Sequence, residues 1–190
     1  MINNWIEGKT FTSISYSGQK LVQTEFESCI FVNCDFSNAD FYESEILNCK
    51  FEGCNFSMAR FVGTGMKEVH FVGCKLIGIG FDDCSDFLFS VSFQKCTLDY
   101  SSFTEKKMKK TKFTDCSLKE VDFSASDLSM AVFENCDLFL TVFQRTILEK
   151  TDFRTAVNYS IDPEANRIRK AKFSYSGIAG LLVKYNIDID

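Results

Sequence analysis

Residues 26–61 read FESCI FVNCD FSNAD FYESE ILNCK FEGCN FSMAR F. A large apolar residue returns at every fifth position: Phe26, Phe31, Phe36, Phe41, Ile46, Phe51, Phe56 and Phe61. Two positions before each centre after the first stands a small residue: Cys29, Cys34, Ala39, Ser44, Cys49, Cys54 and Ala59. The residue between them is mostly polar, as at Asp35, Asp40 and Lys50. A period of five is neither the 3.6 of a helix nor the 2 of a plain strand, and it marks an internal repeat. In extended backbone, residues two apart point to the same side. The small residue and the centre therefore both face inward, and the residue between them faces out. The two residues after the centre are often Ser, Asn, Gly, Glu or Asp, which form turns. Each unit is a minimal strand plus a corner. Four corners close a square of about twenty residues, and successive circuits stack ~4.8 Å apart.

The cysteines test this geometry independently. All nine stand two residues before a centre. Cys34, Cys54 and Cys74 share one spacing of twenty, and Cys96, Cys116 and Cys136 share it again, but Cys74 to Cys96 is twenty-two. The centres slip by the same two residues, running in one frame to Phe81 and restarting at Leu88. A two-residue slip near 85–88 puts all six cysteines on one side of the square. They are expected to be reduced, buried core fillers.

Segments CDFSN (34–38), ADFYE (39–43), CNFSM (54–58), VDFSA (121–125) and CDLFL (136–140) resemble the pentapeptide-repeat consensus A(D/N)LXX. The resemblance covers residues 11–155. It implies an all-β fold, the right-handed quadrilateral β-helix, with the handedness supplied by the family and not by the spacing. Residues 1–10 are then expected to form an N-terminal cap, with Trp5 and Ile6 as an apolar lid. The first circuit is ragged, because Ile14 and Gln19 are too large for the inward small position.

Composition sets bounds. The chain has 190 residues, 45% hydrophobic and 15% aromatic, with 21 Phe and one Pro. One domain is expected at this length. A net charge of −5 argues against direct nucleic-acid binding over the whole surface and allows a partner with a basic groove. No apolar run approaches a membrane span. MINNWIEGKT lacks the features of a signal peptide. Nine thiols without such a signal fit a reducing cytoplasm.

From Leu88 the centres alternate between Leu or Met and Phe through Phe153, so two opposite sides carry the large ring and two the smaller chain. Asp86 falls on an expected centre and cannot be buried unpaired. A bulge there is expected to expose Phe87 or Phe89. Lys107, Lys109, Lys110 and Lys112 are read as outward, whereas Lys106 falls on an inward position that requires a local distortion or an irregular circuit.

No pattern of catalysis is present. His70, the one histidine, is outward and has no triad partner in sequence. The cysteines lack zinc spacing and there is no phosphate-binding glycine loop. No catalytic, cofactor-binding or metal residues are assigned. Hexapeptide acyltransferases are also solenoids, but their period is six. The outward acids are the notable feature. Glu25, Glu27, Glu45 and Glu68 fall on one side, and Asp40, Glu43, Asp82 and Asp83 on the next. Asp99, Glu120, Asp122 and Asp137 follow in the second half. Met130, Val132, Phe139, Leu140, Val142 and Ile147 make the outer surface apolar near 130–147, where the C-terminus is the expected cover.

Residues 156–190 are read as an excursion, a last coil at Ile168 and Phe173, and a short amphipathic helix around Ile178–Tyr185. AKFSYSGIAGLLVKYNIDI (171–189) is similar to the tail of the quinolone-resistance (Qnr-type) pentapeptide proteins. That resemblance implies a homodimer through the C-terminal end, with Ile178, Leu181, Leu182 and Tyr185 in the interface. It also implies an acidic rod that mimics duplex DNA, binds DNA gyrase or topoisomerase IV and protects against quinolones. Glu25, Glu27, Glu45 and Glu68 would carry the charge, and Phe87 and Phe89 would orient the rod. The alternative is a non-catalytic structural or interaction module with another partner. The short slip and the lysines at 106–112 depart from a plain DNA-like rod.

Overall fold

The computed structural model describes residues 5–188, an all-β quadrilateral β-helix. Four strands stack in parallel as the first face: β1 (Trp5–Glu7), β3 (Glu25–Glu27), β5 (Glu45–Leu47) and β7 (Gly65–Lys67). Seven more form the second face: β2 (Thr10–Thr12), β4 (Ile30–Val32), β6 (Lys50–Glu52), β8 (Val69–Val72), β9 (Val91–Gln94), β10 (Lys112–Thr114) and β11 (Val132–Glu134). The third and fourth faces are single-residue parallel bridges, such as Asp35 with Asn55 and Asp122 with Val142. The stack begins within the expected N-terminal cap, because Trp5, Ile6 and Glu7 pair with Glu25, Phe26 and Glu27. Ile6 packs on the core while Trp5 points outward. Ile14 and Gln19 are exposed, and the surrounding centres Phe11, Tyr16 and Leu21 are only half-buried.

Large side chains alone do not hold such short strands; the stacking of identical positions does. Phe31 lies 4.8 Å from Phe51 with rings 10° from parallel, and Phe113 lies 4.9 Å from Phe133 at 2°. Neighbouring Phe columns meet edge-on, as with Phe113 and Phe123 at 5.8 Å and 77°. Both arrangements are the favoured ones for aromatic quadrupoles. The inward small position does more than leave room. Cys49 Sγ donates to the Phe26 carbonyl at 3.4 Å, Thr64 Oγ1 to Phe41 at 2.7 Å and Thr141 Oγ1 to Leu118 at 2.6 Å. Cys, Ser and Thr share this site because each is small and carries one donor. All nine cysteines are free and buried, and burial pushes the Cys49 thiol up to about 12.

Most corners place the second residue after the centre in the left-handed region: Asn33, Asn38, Asn48, Glu68 and Leu140 all have φ between 52° and 57°. The conformation is unfavourable for a residue with a Cβ, so the corner recruits a side chain. Asp35 accepts from the Ser37 N–H at 3.0 Å, Asp122 from Ser124 at 2.7 Å and Asp137 from Phe139 at 3.2 Å. This is the Asx-turn bond. It explains why Asp or Asn so often precedes the centre.

The slip lies on the first face. The Ser85 N–H donates to Thr64 O at 2.9 Å in the old register, whereas Ser90 donates to Met66 O and accepts from Val69 in the new one. Two residues are therefore extra between 85 and 90. Leu88, expected as the first centre of the new frame, is 55% exposed, and Phe89 packs against the core instead. The buried Lys106 accounts for the difference. It occupies the inward small position of the following coil at 3% exposure. Its Nζ donates to the Cys84 carbonyl and pairs with the Asp86 carboxylate at 2.7 Å. The Phe89 ring lies 5.5 Å from the same nitrogen. The long side chain fits because the bulge brings three partners to its tip, so bulge and lysine form one unit.

Past Phe153 the register holds at Val157, lapses, and returns at Arg167 and Lys172. Tyr159 and Ile161 are buried where the repeat would place Asn158 and Pro163. Tyr159 packs beside Phe153 and Phe173. The expected helix is instead two 3₁₀ turns, Ile178–Leu181 and Val183–Tyr185. Gly180 lies flat on Tyr159, where a Cβ would collide with that residue, and its carbonyl accepts from Ile161 at 2.9 Å. The segment is thus moulded to the last coil, and Lys184 ties it to Asp162 and Glu164 at 2.7 and 2.6 Å. It does not cover the outer apolar set, since Phe139, Leu140 and Val142 remain exposed.

Candidate protein-binding face

The faces differ in how their acids are used. On the third and fourth faces, Asp35, Asp40, Asp122 and Asp137 accept from their own corner N–H groups. Asp99 accepts from the Ser117 hydroxyl at 2.6 Å and the Lys119 N–H at 3.0 Å. The Ser37 N–H and hydroxyl hold the Asp35 carboxyl below its ordinary range. Cations interrupt the same columns: Lys20 and Arg60 bracket Asp40, and Lys75 follows Asn55. These faces are mixed, and much of their negative charge is structural.

The first face is different. Parallel pairing sets Trp5, Glu25, Glu45 and Gly65 in one outward column and Glu7, Glu27, Leu47 and Lys67 in the next. Glu68 stands at the following corner, φ 53°. Three of the four glutamates singled out in the sequence are therefore brought together on adjacent strands, and the fourth borders them. Burial, and then the charge of Glu25, raise the Glu45 carboxyl above the usual range. The side chain folds over Gly65, where a Cβ would overlap its carboxylate. Like charges in adjacent strands repel, and a basic partner would relieve that repulsion. Glu7 belongs to the same patch, and sequence reasoning misses it because the repeat frame starts only at residue 11.

The bulge projects from this face. Phe87 is 79% exposed, as expected, with Leu88 beside it; Phe89 belongs to the core. In the C-terminal turns Ile178 and Tyr185 are exposed, whereas Leu181 is spent against the chain's own core and Leu182 is half-buried. Tyr185 also donates to Glu164 at 3.2 Å. Val183 and Ile187 complete the exposed apolar set there.

His70 Nδ1 lies 2.7 Å from Ser92 Oγ on the open second face. Among the described residues the ring has no hydrogen bond to a carboxylate. The described residues hold no group of three or more metal-ligating side chains, and none of their helices is long and apolar enough to cross a membrane.

Two family models match this chain: a pentapeptide repeat region over residues 24–103, and pentapeptide repeats in eight copies over residues 116–154. Among curated proteins none matches. Solved structures do. Full-length QnrB1, a plasmid-mediated fluoroquinolone resistance protein, superposes with a TM-score of 0.61 at 15% identity, covering 96% of this chain and 100% of that one. A trypsin-treated R167E form of QnrB1 gives 0.59 at 16% identity, covering 98% and 97%. HetL, a protein involved in heterocyst differentiation regulation from the cyanobacterium Nostoc sp. strain PCC 7120, gives 0.55 at 12%, covering 90% and 86%. At these identities the likeness is one of fold. The matched repeats, the five-residue corners and the stacked square coils together establish that the chain belongs to the pentapeptide-repeat family.

Proposed function

We propose that this chain is a non-catalytic, cytoplasmic protein-binding rod whose partner is a type II topoisomerase, DNA gyrase first. It enters the basic DNA groove in place of duplex DNA and so protects the enzyme from quinolones. The observation that carries this reading is the first-face cluster in which Glu25 pairs in register with Glu45 and Glu27 with Glu7, each pair one coil apart and unneutralised by its own strands. The QnrB1 likeness supports the choice of partner. Each exposed carboxylate contributes ~1 kcal/mol or less, so no single one is essential and the attraction weakens with salt. Phe87 orients the rod.

The homodimer belongs to the same proposal. The exposed Ile178, Val183, Tyr185 and Ile187 would cover each other about a two-fold axis. Ile178→Asp with Val183→Asp should convert a particle of about twice the 21.7 kDa chain mass to a monomer. Light scattering that still shows a dimer would move the interface elsewhere.

The functional test is gyrase supercoiling in the presence of ciprofloxacin. Wild-type chain should restore activity; the variant with Glu25, Glu27, Glu45 and Glu68 changed to Gln should not. Absence of both protection and inhibition by wild type at every salt concentration would leave the second reading, an interaction module for another partner. One observation favours that second reading: the first face is acidic over only half its length.

A further inference from the structure

Beyond the bulge, the first face changes sign. Parallel bridges carry its outward column on from Lys107 through Asp127 and Ile147 to Arg167. The bulge thus lies midway along one face, with four coils on either side and ~4.8 Å between coils. On the N-terminal side the exposed or half-exposed charges are five glutamates and Lys67; on the C-terminal side they are seven lysines and arginines, Asp127 and Glu149. Asp127 is already paired with Lys109 at 3.3 Å.

We infer that this face pairs side by side with a second copy of the same chain in antiparallel orientation, about a two-fold axis through the bulge. In that arrangement coils equally distant from the bulge face one another. The coil of Lys67 and Glu68 meets the coil of Lys107, Lys109 and Lys110, with Glu68 as its acidic member. The coil of Glu45 and Leu47 meets that of Asp127 and Met130. Glu25 and Glu27 meet Glu149 and Lys150, and Glu7 meets Arg167, Arg169 and Lys170. Taken half against half, five glutamates and Lys67 face seven lysines and arginines with Asp127 and Glu149; the opposition is purest in the outermost pair, and where Glu45 meets Asp127 the contact rests on Leu47 and Met130. At the axis Phe87 and Leu88 of one copy cover Phe87 and Leu88 of the other, hiding the most exposed apolar side chains of the face. A two-fold contact needs a self-complementary surface, which an acidic half and a basic half about an apolar centre provide. Parallel stacking would set like charge against like, so charge fixes the orientation.

This contact is separate from the tail interface, and it uses the carboxylates assigned above to a topoisomerase. Pairing would therefore mask the acidic half, and a chain bound to one partner on this face cannot bind the other. The contact rests on no property of gyrase, and its test contains none.

The test uses the full chain carrying Leu88→Cys, which places one accessible thiol at the two-fold axis while the nine native thiols remain buried. At low salt, mild oxidation should give a disulfide-linked dimer, and at about 0.5 M salt that yield should fall about tenfold or more. A tail-to-tail dimer does not produce this product, because it leaves the two bulges several coils from the contact. Two charge variants of the same chain complete the experiment. The first carries Glu7→Lys, Glu25→Lys and Glu27→Lys; the second carries Arg167→Glu, Arg169→Glu and Lys170→Glu. Neither alone should cross-link, and their mixture should cross-link as a heterodimer. No cross-link in the Leu88→Cys chain at low salt would overturn the proposal. So would variants that cross-link alone as well as they do together.

Discussion

Phe113→Ala should lower the free energy of unfolding by about 3–5 kcal/mol. The ring is fully buried, stacked 5.3 Å from Phe93 and 4.9 Å from Phe133, and met edge-on by Phe103 and Phe123. Truncation removes buried apolar area and all four aromatic contacts, and the hole cannot close because the coils above and below are fixed by their backbone ladders. In a solenoid, stability is a sum of coil and neighbour terms, so a defect in the middle weakens two interfaces. Phe173→Ala should cost less, since that ring is half-buried and stacks on one Phe, 5.4 Å away. Urea unfolding followed by circular dichroism measures both. A loss at Phe113 below that at Phe173 would contradict the stacked-column account.

The second large effect is a reversal. Lys106→Thr alone should destabilise by roughly 3 kcal/mol, because it strips the Cys84 carbonyl of its donor and removes the buried stem beneath Phe89. Deleting Asp86 and Phe87 alone should cost about 3–5 kcal/mol, because it returns the coil to twenty residues and strands the Lys106 ammonium without its carboxylate. Together the two changes should cost far less than either. The deletion brings Leu88 onto the centre of its coil, and the substituted threonine fills the inward site as Thr64 and Thr146 do in theirs. A double-mutant cycle reads the coupling directly. Additive losses would mean that bulge and lysine are independent.

How far the fold and the face are visible in the sequence depends on what each signal encodes. Phe31, Phe51 and Cys54 announce the square coil because size alternation at a fixed spacing is what the inside of the square requires. The slip is visible because the cysteines and the centres register it separately. The choice of Phe89 over Leu88 is not, since two frames overlap between 85 and 90 and a lysine in the next coil decides between them. The roles of Asp122 and Asp137 are hidden for a related reason. Both are outward, and only the left-handed corner that follows shows that their carboxylates turn back to the backbone. The tail reads as one helix from Ile178 to Tyr185 because its apolar spacing suits a helix. Gly180 instead lays that segment flat on Tyr159. The side of the square identifies the first-face glutamates, but the change of sign beyond the bulge escapes the sequence because Lys107–Lys112 reads as a separate cluster.

The proposal that the acidic half stands in for DNA is tested most directly by competition. Labelled duplex DNA is bound to gyrase, the chain is titrated in, and displacement is followed by fluorescence anisotropy at low salt and at about 0.5 M salt. Wild-type chain should displace the DNA at low salt and lose that ability at high salt, and the variant with Glu25, Glu27, Glu45 and Glu68 changed to Gln should displace little at either. Displacement by that variant equal to wild type, or no displacement by wild type at low salt, would contradict the account.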